Sequence, residues 1–330
     1  MAKPSYSRRS FAQATIAVSA SLYAPLLLAQ EVWPSKSVKL IIPFPAGGAT
    51  DTLGRVLAQA IAADLGQPVI VENRLGAAGA IGSEAVAKSA PDGYTLLLAT
   101  SSTHSILPHL SANLPFDPLA DFTPIAEVAE GGSLLVVAPG LPVNSVAQLI
   151  AYAKQNPMTV NYSSSGIGSI PHLMGAYFAG MLGLNIQHVP YKGSSLAYPD
   201  LKSGTVQLMF DSLVTSLPQH KARNVRALAI TSSKRSAQAP DIPTMAEAGL
   251  PAYMSMTWFG ILGPKGMDPR LTQRIAASIH KALQTPSVKG RYNDLGMDIS
   301  TQGPEEFART IASESSKWKK VIVEHKVKAE

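Results

Sequence analysis

The stretch IIPFPAGGATD, residues 41–51, joins the end of a strand to the start of a helix through a bare turn. Apolar residues and two prolines run into two glycines, and Thr50 and Asp51 then open a segment with helical spacing. A tight strand-to-helix turn explains the glycines, because glycine adopts conformations that other residues avoid. The alternative is that the free N–H groups at the helix start hold a ligand, most favourably an anion.

On both sides of this turn, short apolar strands alternate with amphipathic helices. Strand VKLIIPF precedes the turn, and a helix predicted over residues 50–65 follows it and ends at Gly66. The later strand candidates are PVIVEN, YTLLLAT, FTPIAEVA, LLVVAP, TVNYSSS, IQHVP, VQLMF, VRALAI and WFGILGP. Two long helices close the chain, and the apolar stripe of the last one, which includes Trp318, is predicted to be core. This alternation predicts α/β layers with parallel strands.

Five polar turns follow strands, and they are the best candidates for a binding site. Their sequences are PFPAGGATD (43–51), TSSTHS (100–105), YSSSGIGSIPH (162–172), VPYKGSS (189–195) and FDSL (210–213). Open α/β sheets bind ligands at the edge where such turns meet. Glycine, serine and aspartate also cap helices for structural reasons alone, so a single turn carries little weight. Five of them in one chain favour a binding site.

The composition argues against several functional classes. Zero cysteines exclude disulfides, thiol catalysis and cysteine metal sites. No dense basic run with interleaved aromatic residues occurs, so we expect no nucleic-acid partner. The motifs GxSxG, HExxH and GxxxxGK[ST] are missing from the sequence, and no cofactor or metal site is predicted.

The first 29 residues are predicted to be an export signal. Lys3, Arg8 and Arg9 precede an acid-free apolar run that ends in Ala29, and the mature chain would begin near Gln30 in the periplasm. The stretch SRRSFAQ also fits a twin-arginine signal, and a retained N-terminal anchor is the alternative. Removing three of the 28 basic residues leaves 25 against 22 acidic ones, a net charge of +3.

Longer stretches of the chain resemble the Bug-type receptors of tripartite tricarboxylate transporters. The similar segments include WPSKSVKLIIPFPAGGATDTLGRVLA, VIVENRLGAAGAIGSEAVAKSAPDGYTLLLAT, NYSSSGIGSIPHLMG, HVPYKG, DIPTMAEAGLPAY and WFGILGPKG. The resemblance implies a type II periplasmic-binding-protein clamshell, in which two α/β lobes enclose a ligand cleft. It implies a small carboxylate ligand, membrane transporter subunits as partners, a monomer, and neither catalysis nor a cofactor. The expected lobes are residues 31–128 plus 253–330 and residues 129–252.

The resemblance also implies which residues contact the ligand. The expected set, taken from both lobes, is Phe44, Ala46, Gly47, Gly48, Ala49, Thr50, Asp51, Ser101, Ser164, Ser165, Gly166, Gly168, Ser169, His172, Tyr191 and Asp211. Neither residues 46–50 nor residues 164–169 include Arg or Lys, so backbone N–H groups are expected to hold the carboxylate.

Two acidic residues in this set keep alternative interpretations. Asp51 either complements the helix dipole, which we favour, or contacts the ligand or its waters. Asp211 either caps the core or accepts a hydrogen bond from a hydroxyl, ammonium or amide group of the ligand.

Two further functions remain open at this point. The receptor could present its ligand to a sensor kinase instead of a permease, or the chain could be an exported enzyme on the same scaffold. The sequence does not identify which carboxylate binds.

Overall fold

The computed structural model describes residues 33–111, 113–324 and Val327. The predicted export signal lies outside these residues. Residues from Lys36 onward form one unit, which carries all the elements named below. Among the described helices, none is both long enough and apolar enough to cross a membrane.

The described strands form a curled mixed sheet. Its members are β1 (Val38–Ile42), β2 (Val69–Asn73), β3 (Thr95–Thr100), β4 (Phe122–Val137), β5 (Asn161–Ser164), β6 (Gln187–Pro190), β7 (Leu208–Ser212), β8 (Arg226–Ile230), β9 (Met256–Pro264) and β10 (Asp298–Ile299). The order across the sheet is β2-β1-β3-β9-β4-β7-β5-β6, and β8 and β10 pair with β4. Strands β2, β1 and β3 are parallel, as are β7, β5 and β6.

Strand β4 connects the two halves of this sheet. Its first part, up to Gly132, pairs antiparallel with β9, and the part from Ser133 to Val137 pairs antiparallel with β7. Each half therefore has its own set of parallel strands, while β4 and β9 run between them. This is the two-lobed α/β clamshell that the sequence predicts.

Helices cover the sheet halves. They are α1 (Ala49–Leu65), α2 (Ala80–Ala87), α3 (Leu107–Leu110), α4 (Val146–Gln155), α5 (Ile170–Leu182), α6 (Tyr198–Ser203), α7 (Leu213–Lys221), α8 (Pro269–Gln284), α9 (Pro286–Asp294) and α10 (Pro304–Glu324). Asp268 caps α8 by accepting hydrogen bonds from the N–H groups of Arg270 and Leu271, as expected for a helix that begins with Asp-Pro. Trp318 on α10 is buried, as predicted.

The structure differs from the sequence-based expectation at β4. The sequence predicts two strands, FTPIAEVA and LLVVAP, interrupted by the glycine pair Gly131-Gly132, whereas the structure has one strand of 16 residues. The glycines permit close packing instead of a break. A Cβ on Gly131 would lie 2.6 Å from the Met297 side chain, and one on Gly132 would lie 3.0 Å from Ser232.

Candidate functional site

The turn after β1 is organised by the carboxylate of Asp51. One oxygen accepts the N–H of Gly47 at 2.9 Å, and the carboxylate also accepts hydrogen bonds from Arg55 and Asn73. Burial by itself would raise the pKa of Asp51, but these hydrogen bonds outweigh burial and hold that pKa below its ordinary value. Asp51 therefore stabilises the turn that precedes α1, a role that the sequence analysis did not predict.

The start of α1 leaves backbone donors unused. Gly48 precedes the helix in an extended conformation, and its N–H makes only a long 3.4 Å bond to the carbonyl of Pro45. Within the described residues, the N–H groups of Ala49 and Thr50 have no acceptor. Since α1 is 17 residues long, its dipole places partial positive charge at these two donors.

The facing loop, between β5 and α5, is held by its own side chains. The N–H of Gly166 donates to Ser164 Oγ at 3.0 Å, and the N–H of Gly168 donates to His172 Nδ1 at 3.1 Å. Ser169 caps α5 and also donates from its hydroxyl to the carbonyl of Gly166. These donors are thus already used within the loop, while Ser165 lies on the wall of the cleft.

Two stacked histidines support this loop from behind. The rings of His172 and His188 lie 4.1 Å apart, and His188 Nε2 is 2.6 Å from Ser164 Oγ. Burial lowers the pKa of His172 to about 4, and burial together with the neighbouring His172 lowers that of His188 to about 3. Both rings are therefore neutral near pH 7, and they act as hydrogen-bond partners rather than as cations.

The two sheet halves touch across the cleft. The N–H of Ile170, at the start of α5, donates to Ser102 Oγ at 2.9 Å. Gly193 lies so close to Pro45 that a Cβ on it would be 2.2 Å from the proline Cγ. The cleft is therefore narrow at both of these points.

The cleft contains about 530 Å³ of space free of protein atoms, counting the part open to solvent. Its wall is made by eighteen residues: Phe44, Pro45, Gly48, Ala49, Thr50, Thr100, Ser102, Ser133, Ser165, Ile170, Pro171, Gly193, Ser194, Ser195, Asp211, Ser212, Thr257 and Phe259. Nine of these residues carry a hydroxyl group, and this set contains no Lys, Arg or His. The wall can therefore bind an anion only through N–H and O–H donors.

Asp211 is the one ionisable side chain in this set. It lies one residue before the end of β7 and is only 4 % exposed. Its carboxylate accepts hydrogen bonds from the hydroxyls of Tyr198, at 2.8 Å, and Thr215. Burial raises the pKa of Asp211 above its ordinary value, although the hydroxyl donors, Ser194 among them, act in the opposite direction.

The predicted site residues fall into three groups. Six line the cleft: Phe44, Gly48, Ala49, Thr50, Ser165 and Asp211. Gly166 and Tyr191 line a neighbouring groove, which Phe44 and Ser165 also border, and the Tyr191 hydroxyl donates to Asp200. The others do not line the cleft: Ala46 and Gly47 are exposed in the turn, Asp51 holds the turn, and Ser101, Ser164, Gly168, Ser169 and His172 are buried.

Some residues of the wall were missed by the sequence reasoning. Thr100, Ser102 and residues 193–195 lie in turns that the sequence had marked as candidates, although they were not singled out. Ser133, Thr257 and Phe259 come from β4 and β9, and the sequence offered no signal for them. The sequence predicts Ser101 as a site residue, whereas its neighbour Ser102 lies on the wall. The structure turns Ser101 inward, where its hydroxyl accepts the N–H of Trp258 at 3.0 Å.

Throughout the described part of the chain, no three His, Asp or Glu side chains come together as a metal site would require.

Comparison with known proteins shows that this chain is similar to periplasmic binding proteins. Protein BugT of Bordetella pertussis is 38 % identical over 307 residues, which cover 93 % of this chain and 94 % of BugT. The structure of Rpa4515 from R. palustris with adipate has a TM-score of 0.88 and 35 % identity, and covers 90 % of this chain and 99 % of that one. The structure of MatC from Rhodopseudomonas palustris with bound malate has a TM-score of 0.85 and 31 % identity, and covers 88 % of this chain and all of that one.

The family profile agrees with these similarities. The profile described as tripartite tricarboxylate transporter family receptor matches residues 53–327. The matched region includes most of α1 and both crossing strands. The resemblance inferred from the sequence is confirmed, and the chain belongs to the Bug-type receptors of the tripartite tricarboxylate transporter family.

Proposed function

We propose that this protein is a periplasmic receptor that captures a small carboxylate by hinge closure and delivers it to the membrane subunits of a tripartite tricarboxylate-type transporter. The observation that carries this proposal is the start of α1, where the N–H groups of Ala49 and Thr50 have no acceptor among the described residues. They lie on the wall of a cleft whose lining contains no basic side chain. A carboxylate is the partner that these donors lack.

Donors from both sides of the cleft complete the proposed site. Ser165 lies on the facing wall, and Thr100 Oγ1 is buried with no hydrogen-bond partner within the described chain. A buried hydroxyl without a partner is costly, so a ligand oxygen at this position would relieve that cost. The adipate and malate in the two related structures make a small carboxylate the natural first candidate here.

Closure would occur about the two crossing strands. The pairing partner of β4 changes between Gly132 and Ser133, and β9 begins opposite this point at Met256. We propose lobes of residues 31–128 plus 253–330 and residues 129–252, with the hinge in these strands. The Ile170–Ser102 hydrogen bond would then join the two lobes when the cleft is closed.

Export and partners follow from the same proposal. Residues 1–29 would direct the chain to the periplasm, where it would act as a monomer without catalysis, cofactor or nucleic acid. Changing Arg8 and Arg9 to Lys should reduce export if the twin-arginine route is used. Immunoblots of periplasmic and cytoplasmic fractions would measure the exported amount. Unchanged export would indicate the general secretory route instead.

Titration calorimetry of the mature protein with a panel of small carboxylates tests the proposal. We expect at least one member to bind stoichiometrically, to compact the protein in small-angle scattering, and to be recovered unchanged by mass spectrometry. Binding by no carboxylate would refute the carboxylate assignment. Conversion of a bound ligand would indicate an enzyme, and a bound shape identical to the empty one would argue against hinge closure.

A further inference from the structure

The charge of the cleft wall limits which carboxylate it can hold. The lining residues named above include one acid and no base, so the wall carries a net negative charge when Asp211 is ionised. Within the described residues, the start of α1 offers partial positive charge, about half an elementary charge, together with unused N–H donors on the wall. One ligand carboxylate can be stabilised there. A second one would need another donor-rich position away from Asp211.

Asp211 has hydrogen-bond donors around it but no cation in the cleft lining. The hydroxyls of Tyr198 and Thr215 both donate to the same oxygen, Oδ2, and Ser194 also donates to this carboxyl group. Because the group is only 4 % exposed, water screens its charge poorly. A ligand carboxylate beside the ionised group would be repelled, whereas the positive end of a ligand N–H or O–H bond would be attracted to it.

The hydroxyl residues of the wall do not make this distinction. Serine and threonine can both donate and accept, so groups such as Ser195 and Thr257 suit either kind of ligand end. Discrimination therefore falls on Asp211, which when ionised can only accept.

We propose that the ligand is a monocarboxylate whose far end carries a hydrogen-bond donor, such as an amide, hydroxyl or ammonium group, directed at Asp211. The ligand carboxylate lies at the N–H groups of Ala49 and Thr50. A dicarboxylate of the same length is disfavoured at the Asp211 end. This inference rests on the proposed function and narrows its ligand class.

Length-matched ligand pairs test the inference on the wild-type mature protein. Succinate, glutarate and adipate are each compared with their own monoamide by titration calorimetry at pH 7.5. We expect the monoamide of the best-fitting pair to bind at least about tenfold more tightly, since like charges brought together in a buried site are strongly unfavourable. Tighter binding of the dicarboxylate in every pair would overturn the inference while leaving the carboxylate receptor intact. Binding of neither member of any pair would overturn the proposed function as well.

Two variants test whether Asp211 causes the preference for the monoamide. Asp211→Asn removes the negative charge. The ratio of the affinity for the dicarboxylate to the affinity for its monoamide should therefore rise at least about tenfold. Asp200→Asn is the matched control, because Asp200 also accepts a tyrosine hydroxyl but does not line the cleft, and its ratio should stay at the wild-type value. Thermal melts check that both variants fold. An unchanged ratio in folded Asp211→Asn would overturn the assignment, and if that variant does not fold, the wild-type comparison decides alone.

Discussion

Replacing Ala49 by proline should remove one of the unused N–H donors at the start of α1 and keep the helix that presents it. Ala49 is the first residue of α1, the position where proline is best tolerated, since an N–H there has no partner within the helix. The preceding residue, Gly48, has φ −77° and ψ 171°, a conformation that is allowed before proline. Proline at position 48 would be a poorer probe, because the N–H of Gly48 already donates to Pro45.

The size of the effect follows from the kind of bond that is lost. A backbone N–H to an ionised carboxylate is a charge-assisted hydrogen bond, and such bonds contribute about 1.5–3 kcal/mol. Losing this bond should weaken binding roughly tenfold to a hundredfold. The loss would not be larger than this, because Thr50 keeps its own N–H.

Titration calorimetry with a carboxylate that binds the wild type measures this loss. Ala49→Ser is the matched control, since it keeps the N–H and changes little in size, and its affinity should stay within about threefold of the wild type. Lys192→Ala is the second comparison, because an exposed lysine beside the cleft would contribute only a screened charge. Wild-type affinity in Ala49→Pro, together with lost binding in Lys192→Ala, would show that a cation holds the ligand instead.

Two further predictions concern stability and closure. Burial and two neighbouring glutamates raise the pKa of Glu127 from 4.5 to about 7. Between these pH values the unfolded chain has released a proton that the folded protein still holds. The free energy of unfolding therefore falls as the pH rises. Glu127→Gln should therefore stabilise the protein by about 3 kcal/mol at pH 8 and hardly at pH 4. Denaturant titrations that showed the same stabilisation at both pH values would contradict this. Gly193→Ala should prevent full closure because its Cβ would collide with Pro45, whereas Gly140→Ala, which meets nothing within 4 Å, should close normally. Small-angle scattering with ligand distinguishes the two variants, and equal compaction would refute the reasoning.

The sequence was sufficient wherever the physics is local. The turn before α1 could be located because glycines, an acid in the first helical turn and the apolar spacing of the helix all lie within one short segment. The cap of α8 is also a short-range feature, because Asp268 accepts hydrogen bonds from N–H groups two and three residues further along the chain. For the same reason, the segment between β5 and α5 could be assigned as a glycine-bearing loop leading into a helix.

The sequence could not predict which backbone N–H groups remain free for a ligand. We expected free N–H groups at Gly47, Gly166 and Gly168. In the folded protein, each of these N–H groups donates a hydrogen bond to a nearby side chain. Whether Asp51 or His172 folds back onto its own loop depends on rotamers that the surrounding packing selects.

The sequence by itself thus determined the family, the alternation of strands and helices, and a helix start suited to an anion, since these depend on short-range patterns. Only the tertiary structure decided that Ser133 and Thr257, from strands far apart in the chain, share one wall with Thr50. It also decided that Asp211 is buried there with hydroxyl donors and without a basic residue in the lining. The physical reason is that the charge of a cleft is a sum over side chains that only long-range strand pairing brings together.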